Sequence, residues 1–89
     1  MKTFKDLEFE MMTDPFMSGK RCRIMFENNW GASVVSHTFS YGGKQGLYEL
    51  AVLDSNGELH YGNDVAQGDV RGYLTEEEVT DLLIEIQKL

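Results

Sequence analysis

The sequence is poor in cysteine and proline, with Cys22 and Pro15 as the single copies. A lone cysteine excludes an internal disulfide and is typical of a reducing compartment, so we expect a cytoplasmic protein. No apolar run approaches the roughly 20 residues of a membrane-spanning helix. The first ten residues carry charges of both signs, which is not typical of a signal peptide. The sequence therefore predicts no membrane partner.

Basic residues are also scarce. The chain has eight lysines and arginines and fifteen aspartates and glutamates, which gives a net charge of −7. A field of this sign repels phosphate backbones, so direct binding of nucleic acid is not expected. It favours basic partners, including the nucleic-acid-binding surfaces of other proteins. The alternative is that the acidity serves solubility alone.

A catalytic or metal-binding signature is missing as well. Cys22, His37 and His60 lie on three separate predicted strands and lack the short spacings of zinc sites. Cys22 instead fits a small core position. The glycine-rich stretch 41–46 is not a phosphate-binding loop, because the Gly-Lys-Ser/Thr ending and the following helix are both missing. We expect no metal, no cofactor and no catalytic residue.

The clearest element is an amphipathic helix over residues 74–89. Thr75 and Glu78 have the spacing of a capping box, and Leu74 and Val79 that of a hydrophobic staple. Apolar residues then recur at i, i+3, i+4 and i+7, which places one face against a core. That face consists of Val79, Leu82, Leu83 and Ile86.

Upstream, alternating apolar residues predict strands over 5–11, 20–27, 30–39, 47–53 and 58–61. Turns are expected at Asn28-Asn29 and at 54–57, with loops over 12–19 and 41–46. Residues 62–72 read as a crossover loop with valine anchors. The prediction is a single α+β domain, residues 1–89, in which an antiparallel sheet of four to five strands carries one C-terminal helix on one face.

The side of the helix opposite its apolar face is a candidate partner surface. Glu77 and Asp81, and Asp81 and Glu85, are like-charge pairs at i, i+4, which slightly destabilise a helix. This favours an acidic contact face, although an ordinary solvated face gives the same pattern. Ile84 lies within this stripe, either as a single surface residue or as the centre of a self-association or partner patch.

Aromatic and methionine side chains supply further candidates. Trp30 beside a turn and Tyr41 beside the glycine-rich loop are expected to be exposed, whereas Tyr48, Tyr61 and Tyr73 are expected in the core. Phe16 and Met17 belong to a methionine-rich loop around Pro15. They either pack back onto the sheet or form an adaptable contact surface.

Three stretches, residues 26–35, 41–53 and 73–79, resemble small proteins encoded by bacteriophages and prophages. Relatives would carry Asn-Gly where this chain has Asn28-Asn29. The resemblance carries over no functional residue. It implies a non-catalytic accessory factor that binds and blocks a host protein. Together with the net charge of −7 and the like-charge pairs on the helix, this leads to the hypothesis of an inhibitor, in the bacterial cytoplasm, of a host nucleic-acid enzyme such as a CRISPR or restriction effector. The alternative is a structural homo-oligomer or a minor virion component.

Overall fold

The computed structural model describes residues 1–60, 65 and 70–89, and its centre is a five-stranded antiparallel sheet. The strands lie in chain order, so each one pairs with its neighbours in sequence. A single α-helix, α1, follows the last strand. The predicted α+β architecture is thereby confirmed. The elements are β1 (Glu10–Asp14), β2 (Met17–Met25), β3 (Gly31–His37), β4 (Tyr48–Leu53), β5 (Arg71–Leu74) and α1 (Glu76–Gln87).

The core lies between one face of the sheet and α1. Cys22 on β2 is opposite Val34 on β3, which in turn is opposite Leu50 on β4. All three are buried, because side chains at these paired positions point to the same face. The helix covers this face with the four apolar residues predicted for it, and all four are buried.

Both ends of α1 are tied by side chains. The Thr75 amide donates to Glu78 Oε1 at 3.0 Å, and Thr75 Oγ1 accepts from the Glu78 amide at 3.2 Å, which is the predicted capping box. At the other end, Asn28 Nδ2 donates to the Ile86 carbonyl at 2.9 Å. The Ile86 carbonyl also accepts from the Leu89 amide at 3.1 Å, so Asn28 adds a side-chain donor from the β2–β3 turn to the last turn of the helix.

The strand predicted over 5–11 is wrong in its position. A short 3-10 helix occupies Phe4–Asp6, with the Thr3 amide donating to Asp6 Oδ2 at 2.8 Å, and the strand begins at Glu10. Phe4 and Phe9 pack on Tyr48 with ring centroids 5.0 and 5.9 Å away. Leu7 is buried in the core, so the apolar residues of this stretch pack on the core and on Tyr48 without forming a strand.

The loop predicted over 12–19 is also wrong. β1 continues to Asp14 and β2 begins at Met17, so two residues, Pro15 and Phe16, make the whole connection. Asp14 Oδ1 accepts from the Phe16 amide at 2.8 Å. Pro15 lies in the turn itself, where no ladder hydrogen bond is needed from it.

The segment after β4 differs from the prediction in two places. The strand predicted over 58–61 is reduced to one bridge between Leu53 and Leu59, and residue 61 lies outside the described residues. The end of the predicted crossover loop forms the start of β5. Of the predicted valine anchors, Val65 is buried in the core, whereas Val70 is half-buried.

Candidate functional site

The outer side of α1 carries three exposed carboxylates in a row, Glu77, Asp81 and Glu85, here called the acidic face. The helix contains five carboxylates and no basic residue. Throughout the described part of the chain, the one ion pair joins Glu10 to Arg21 at 3.0 Å. The three charges of the acidic face therefore have water as their partner.

The first turn of α1 borders a shallow groove. It is lined by the acidic residues Glu76, Glu77 and Asp81 and by Phe4, Lys5 and Thr80. Thr80 Oγ1 accepts from the Phe4 amide at 3.0 Å, so the segment before β1 is attached to the helix at this point. Ile84 is half-buried, which leaves little apolar area on the acidic face.

Two tyrosine rings are exposed at the junction between β5 and the glycine-rich loop. Tyr41 is 58% exposed and Tyr73 is 57% exposed, with ring centroids 6.5 Å apart and planes inclined by 33°. We call these two residues the tyrosine pair. The exposure predicted for Tyr41 is confirmed, and the core position predicted for Tyr73 is wrong. No local signal indicated this exposure, because Tyr73 has a positive φ of 57° and lies in a strand of only four residues.

The other aromatic candidates occupy varied environments. Trp30 is half-buried rather than exposed, and its ring meets that of His60 edge to face at 4.8 Å. Tyr48 is buried as predicted, and Tyr61 lies outside the described residues. Trp30 is therefore better placed to support the core than to anchor a partner.

The tip of the β1–β2 hairpin is apolar. Phe16 is 83% exposed, while Met17 is half-buried. Phe39 is 71% exposed and follows Thr38, whose amide donates to the Ser18 carbonyl at 3.1 Å. Phe16 therefore does not pack back onto the sheet, and its role as a contact residue stays a prediction.

Cys22 and His37 do not converge. Cys22 is buried on the helix-covered face, and burial raises the pKa of its thiol. His37 lies an odd number of residues from Val34, the partner of Cys22, and so it points to the opposite face. Across residues 1–60, 65 and 70–89, no three His, Cys, Asp or Glu side chains gather as a metal-binding set.

Both edges of the sheet discourage pairing with another strand. β1 has a carboxylate at each end, Glu10 and Asp14, and a copy of β1 would bring these charges together. β5 is four residues long, and its pairing with β4 shifts register between Tyr48 and Leu50. Short, irregular and charged edges are common protection against edge-to-edge association.

Compared with protein-family models, with curated proteins and with solved structures, the chain matches none. The resemblance to bacteriophage proteins accordingly stays a prediction. Among the helices in the described residues, none is long and apolar enough to cross a membrane.

Proposed function

We propose that the chain is a non-catalytic binding protein whose acidic face docks on a basic surface of a partner protein. The partner proposed is a host protein that binds nucleic acid, such as a CRISPR or restriction effector. The chain would act as a phage accessory factor in the bacterial cytoplasm. It would block the partner by occupying the surface that normally receives phosphates.

The acidic face is the observation that carries this proposal. Glu77, Asp81 and Glu85 repeat at i, i+4, which places a carboxylate at about every 6 Å along the helix. Each neighbouring pair lowers helix stability by a few tenths of a kcal/mol. A basic partner surface would turn these repulsions into attractions, so the arrangement is better suited to a complex than to the free protein.

The rest of the molecule supports an electrostatic mode of binding. The net charge of −7 gives a field that attracts basic surfaces and speeds their encounter. Interactions of this kind are screened over about 10 Å at 0.1 M salt. Affinity is therefore expected to fall steeply as ionic strength rises.

The test uses two triple variants with the same change in net charge. One carries Glu77→Gln, Asp81→Asn and Glu85→Gln in the acidic face. The control carries Glu8→Gln, Glu27→Gln and Glu58→Gln, three exposed carboxylates outside α1. Wild type and both variants are immobilised and exposed to bacterial lysate, and the retained proteins are identified by mass spectrometry.

The proposal is supported if the wild type and the control variant retain nucleic-acid-binding proteins that the acidic-face variant does not retain. Duplex DNA should displace these proteins from the wild type. Retention of the same proteins by the acidic-face variant would contradict the proposal. So would retained proteins that duplex DNA does not displace. The comparison of the two triple variants separates the position of the charge from its amount.

Exposure of Phe16 favours a second candidate function, a structural homo-oligomer or minor virion component joined through the β1–β2 hairpin. Sedimentation velocity at micromolar concentration tests it, with Phe16→Ser as the comparison. An oligomer that dissociates in this variant supports self-association. A strict monomer in the wild type rules it out.

A further inference from the structure

We propose that the tyrosine pair is a binding site for an arginine side chain of the partner protein. This inference rests on the proposed function in one respect, since both require a partner protein with a basic surface. The position of the site, next to the start of α1, extends the contact surface beyond the acidic face.

The spacing of the two rings suits a single cation. A cation is attracted to a tyrosine ring when it lies over the ring face, within about 6 Å of the centroid. The centroids of Tyr41 and Tyr73 are 6.5 Å apart, so one cation can lie within this reach of both. Both residues are more than half exposed, so a partner can reach them.

The backbone fixes the two tyrosines relative to each other. The Tyr73 amide donates to the Tyr41 carbonyl at 3.1 Å. A Cβ on Gly72 would come within 2.4 Å of Tyr41 Cβ, so glycine is needed for this close approach. The site is thereby held in place before a ligand arrives, which lowers the entropy lost on binding.

Tyr73 itself has a left-handed backbone conformation, with φ of 57°. This conformation is uncommon for a bulky residue, and Asn29 is the one other non-glycine residue in the described chain that has a positive φ. Strained backbone of this kind is concentrated at binding and catalytic sites. Here the strain serves to present an aromatic ring that glycine at the same position would not provide.

The charges around the pair favour a cation over a nucleic acid base. Glu49 Oε1 accepts from the Tyr41 amide at 3.1 Å, which places a carboxylate at the backbone of the first tyrosine. Glu76 and Glu77 follow shortly after Tyr73 at the start of α1. Two basic residues are also near in sequence: Lys44, which is exposed, and Arg71, whose Nη1 donates to the Val65 carbonyl at 3.4 Å. Of these five charged residues, three are acidic and two are basic, so the charge near the pair along the chain is negative.

Arginine fits this environment better than lysine. Its planar guanidinium stacks on aromatic rings while its edge donates hydrogen bonds to carboxylates. It is also less strongly hydrated than an ammonium group, so it loses less on leaving water. A tyrosine pair bordered by carboxylates offers both kinds of contact.

The experiment titrates a blocked tetra-arginine peptide into the protein and follows the tyrosine ring signals by NMR. Tyr41→Ala and Tyr73→Ala are each expected to weaken binding about two- to fivefold. Tyr41→Phe and Tyr73→Phe keep the rings and should retain wild-type affinity. Phe39→Ala, at an exposed aromatic residue elsewhere, is the matched control and should have no effect. Amide spectra of every variant establish that it is folded.

A peptide with citrulline at every position has similar shape but no charge, and it is expected to bind far more weakly. Equal affinity of the two peptides, or unchanged affinity in both alanine variants, would overturn the proposal. Oligothymidylate that binds and moves the tyrosine signals would overturn it as well, in favour of base stacking.

The acidic-face triple variant distinguishes this proposal from the proposed function. If that variant loses peptide binding while the alanine variants keep it, the arginine site is wrong and the acidic face stands. If neither set of variants changes the affinity, both proposals are wrong. If both sets weaken binding, the tyrosine pair and the acidic face belong to one surface.

Discussion

Replacement of Asn28 by aspartate tests how the sheet is attached to α1. Asn28 Nδ2 donates to the Ile86 carbonyl at 2.9 Å, and Asn28 Oδ1 accepts from the Trp30 amide at 3.1 Å. Aspartate keeps the acceptor for Trp30 but has no donor for Ile86. The introduced carboxylate would instead face a carbonyl at the negative end of the helix dipole.

The expected loss of stability follows from these contacts. A typical hydrogen bond contributes about 0.5–1.5 kcal/mol, and a charge near a helix end about 0.3–1 kcal/mol. Asn28→Asp should therefore lower the free energy of unfolding by about 1–2.5 kcal/mol at neutral pH. For a domain of this size, each kcal/mol corresponds to a decrease in Tm of about 4–8 °C.

The loss should also depend on pH. Repulsion from the Ile86 carbonyl raises the folded-state pKa of the introduced aspartate above its unfolded value. Its charged form is the destabilising one, so the penalty is largest above the folded-state pKa and decreases as pH falls through it. Once protonated, the carboxyl can donate to the Ile86 carbonyl, and part of the stability returns.

The measurement is urea unfolding of both forms from pH 7 to pH 4, with the difference between variant and wild type taken at each pH. Asn29→Asp is the control, because this substitution adds the same charge one residue away. Asn29 is exposed, and aspartate tolerates its left-handed backbone conformation. A penalty no larger than that of the control, or one that is constant with pH, would refute the role assigned to Asn28.

Three further predictions concern α1 and β5. Leu83→Ala, at a fully buried residue, should cost about 2–5 kcal/mol in urea unfolding, against about 1 kcal/mol for Ile84→Ala at its half-buried neighbour; equal losses would contradict the packing. The Thr75 backbone amide at the helix N-cap lowers the pKa of Glu78, so the stability from this contact is present above the unfolded-state pKa and is lost as pH falls through the lower folded-state pKa. Glu78→Gln should reduce the loss of stability on acidification, and an unchanged dependence of stability on pH would contradict the role of the Glu78 carboxylate. Tyr73→Gly should be more stable than Tyr73→Ala by about 1 kcal/mol, because glycine adopts a positive φ without strain. At Met11 in β1, the alanine variant should be the more stable of the two. If alanine is the more stable variant at both positions, Tyr73 does not have the left-handed conformation.

The helix and the central strands could be predicted because their signals are local. Thr75 and Glu78 are three residues apart, and the contacts between them need nothing from the rest of the chain. β4 is similarly evident, since Leu50 and Val52 on one face and Ala51 and Leu53 on the other are all buried. Apolar residues on both faces are typical of an interior strand, and β4 lies between β3 and β5.

The errors fall where distant contacts decide the local structure. Phe4 and Phe9 pack on Tyr48, about forty residues further along the chain, and no short-range pattern indicates this. Lys2 likewise exchanges two hydrogen bonds with the Gln87 side chain, at 2.9 and 2.8 Å. The exposure of Tyr73 was not predicted, because a strand of four residues such as β5 is too short for its alternation to be recognised in the sequence.

The junction between β5 and α1 connects the two proposed contacts. Leu74 is buried there, which fixes the residues on either side of it. Tyr73 on one side presents its ring next to Tyr41, and Thr75 on the other side caps the helix that carries Glu77. A partner that reached both would approach along the start of α1, away from the apolar tip of the β1–β2 hairpin, which belongs to other strands. Because both contacts depend on Leu74 being held in the core, the packing of this residue supports the geometry of the whole surface.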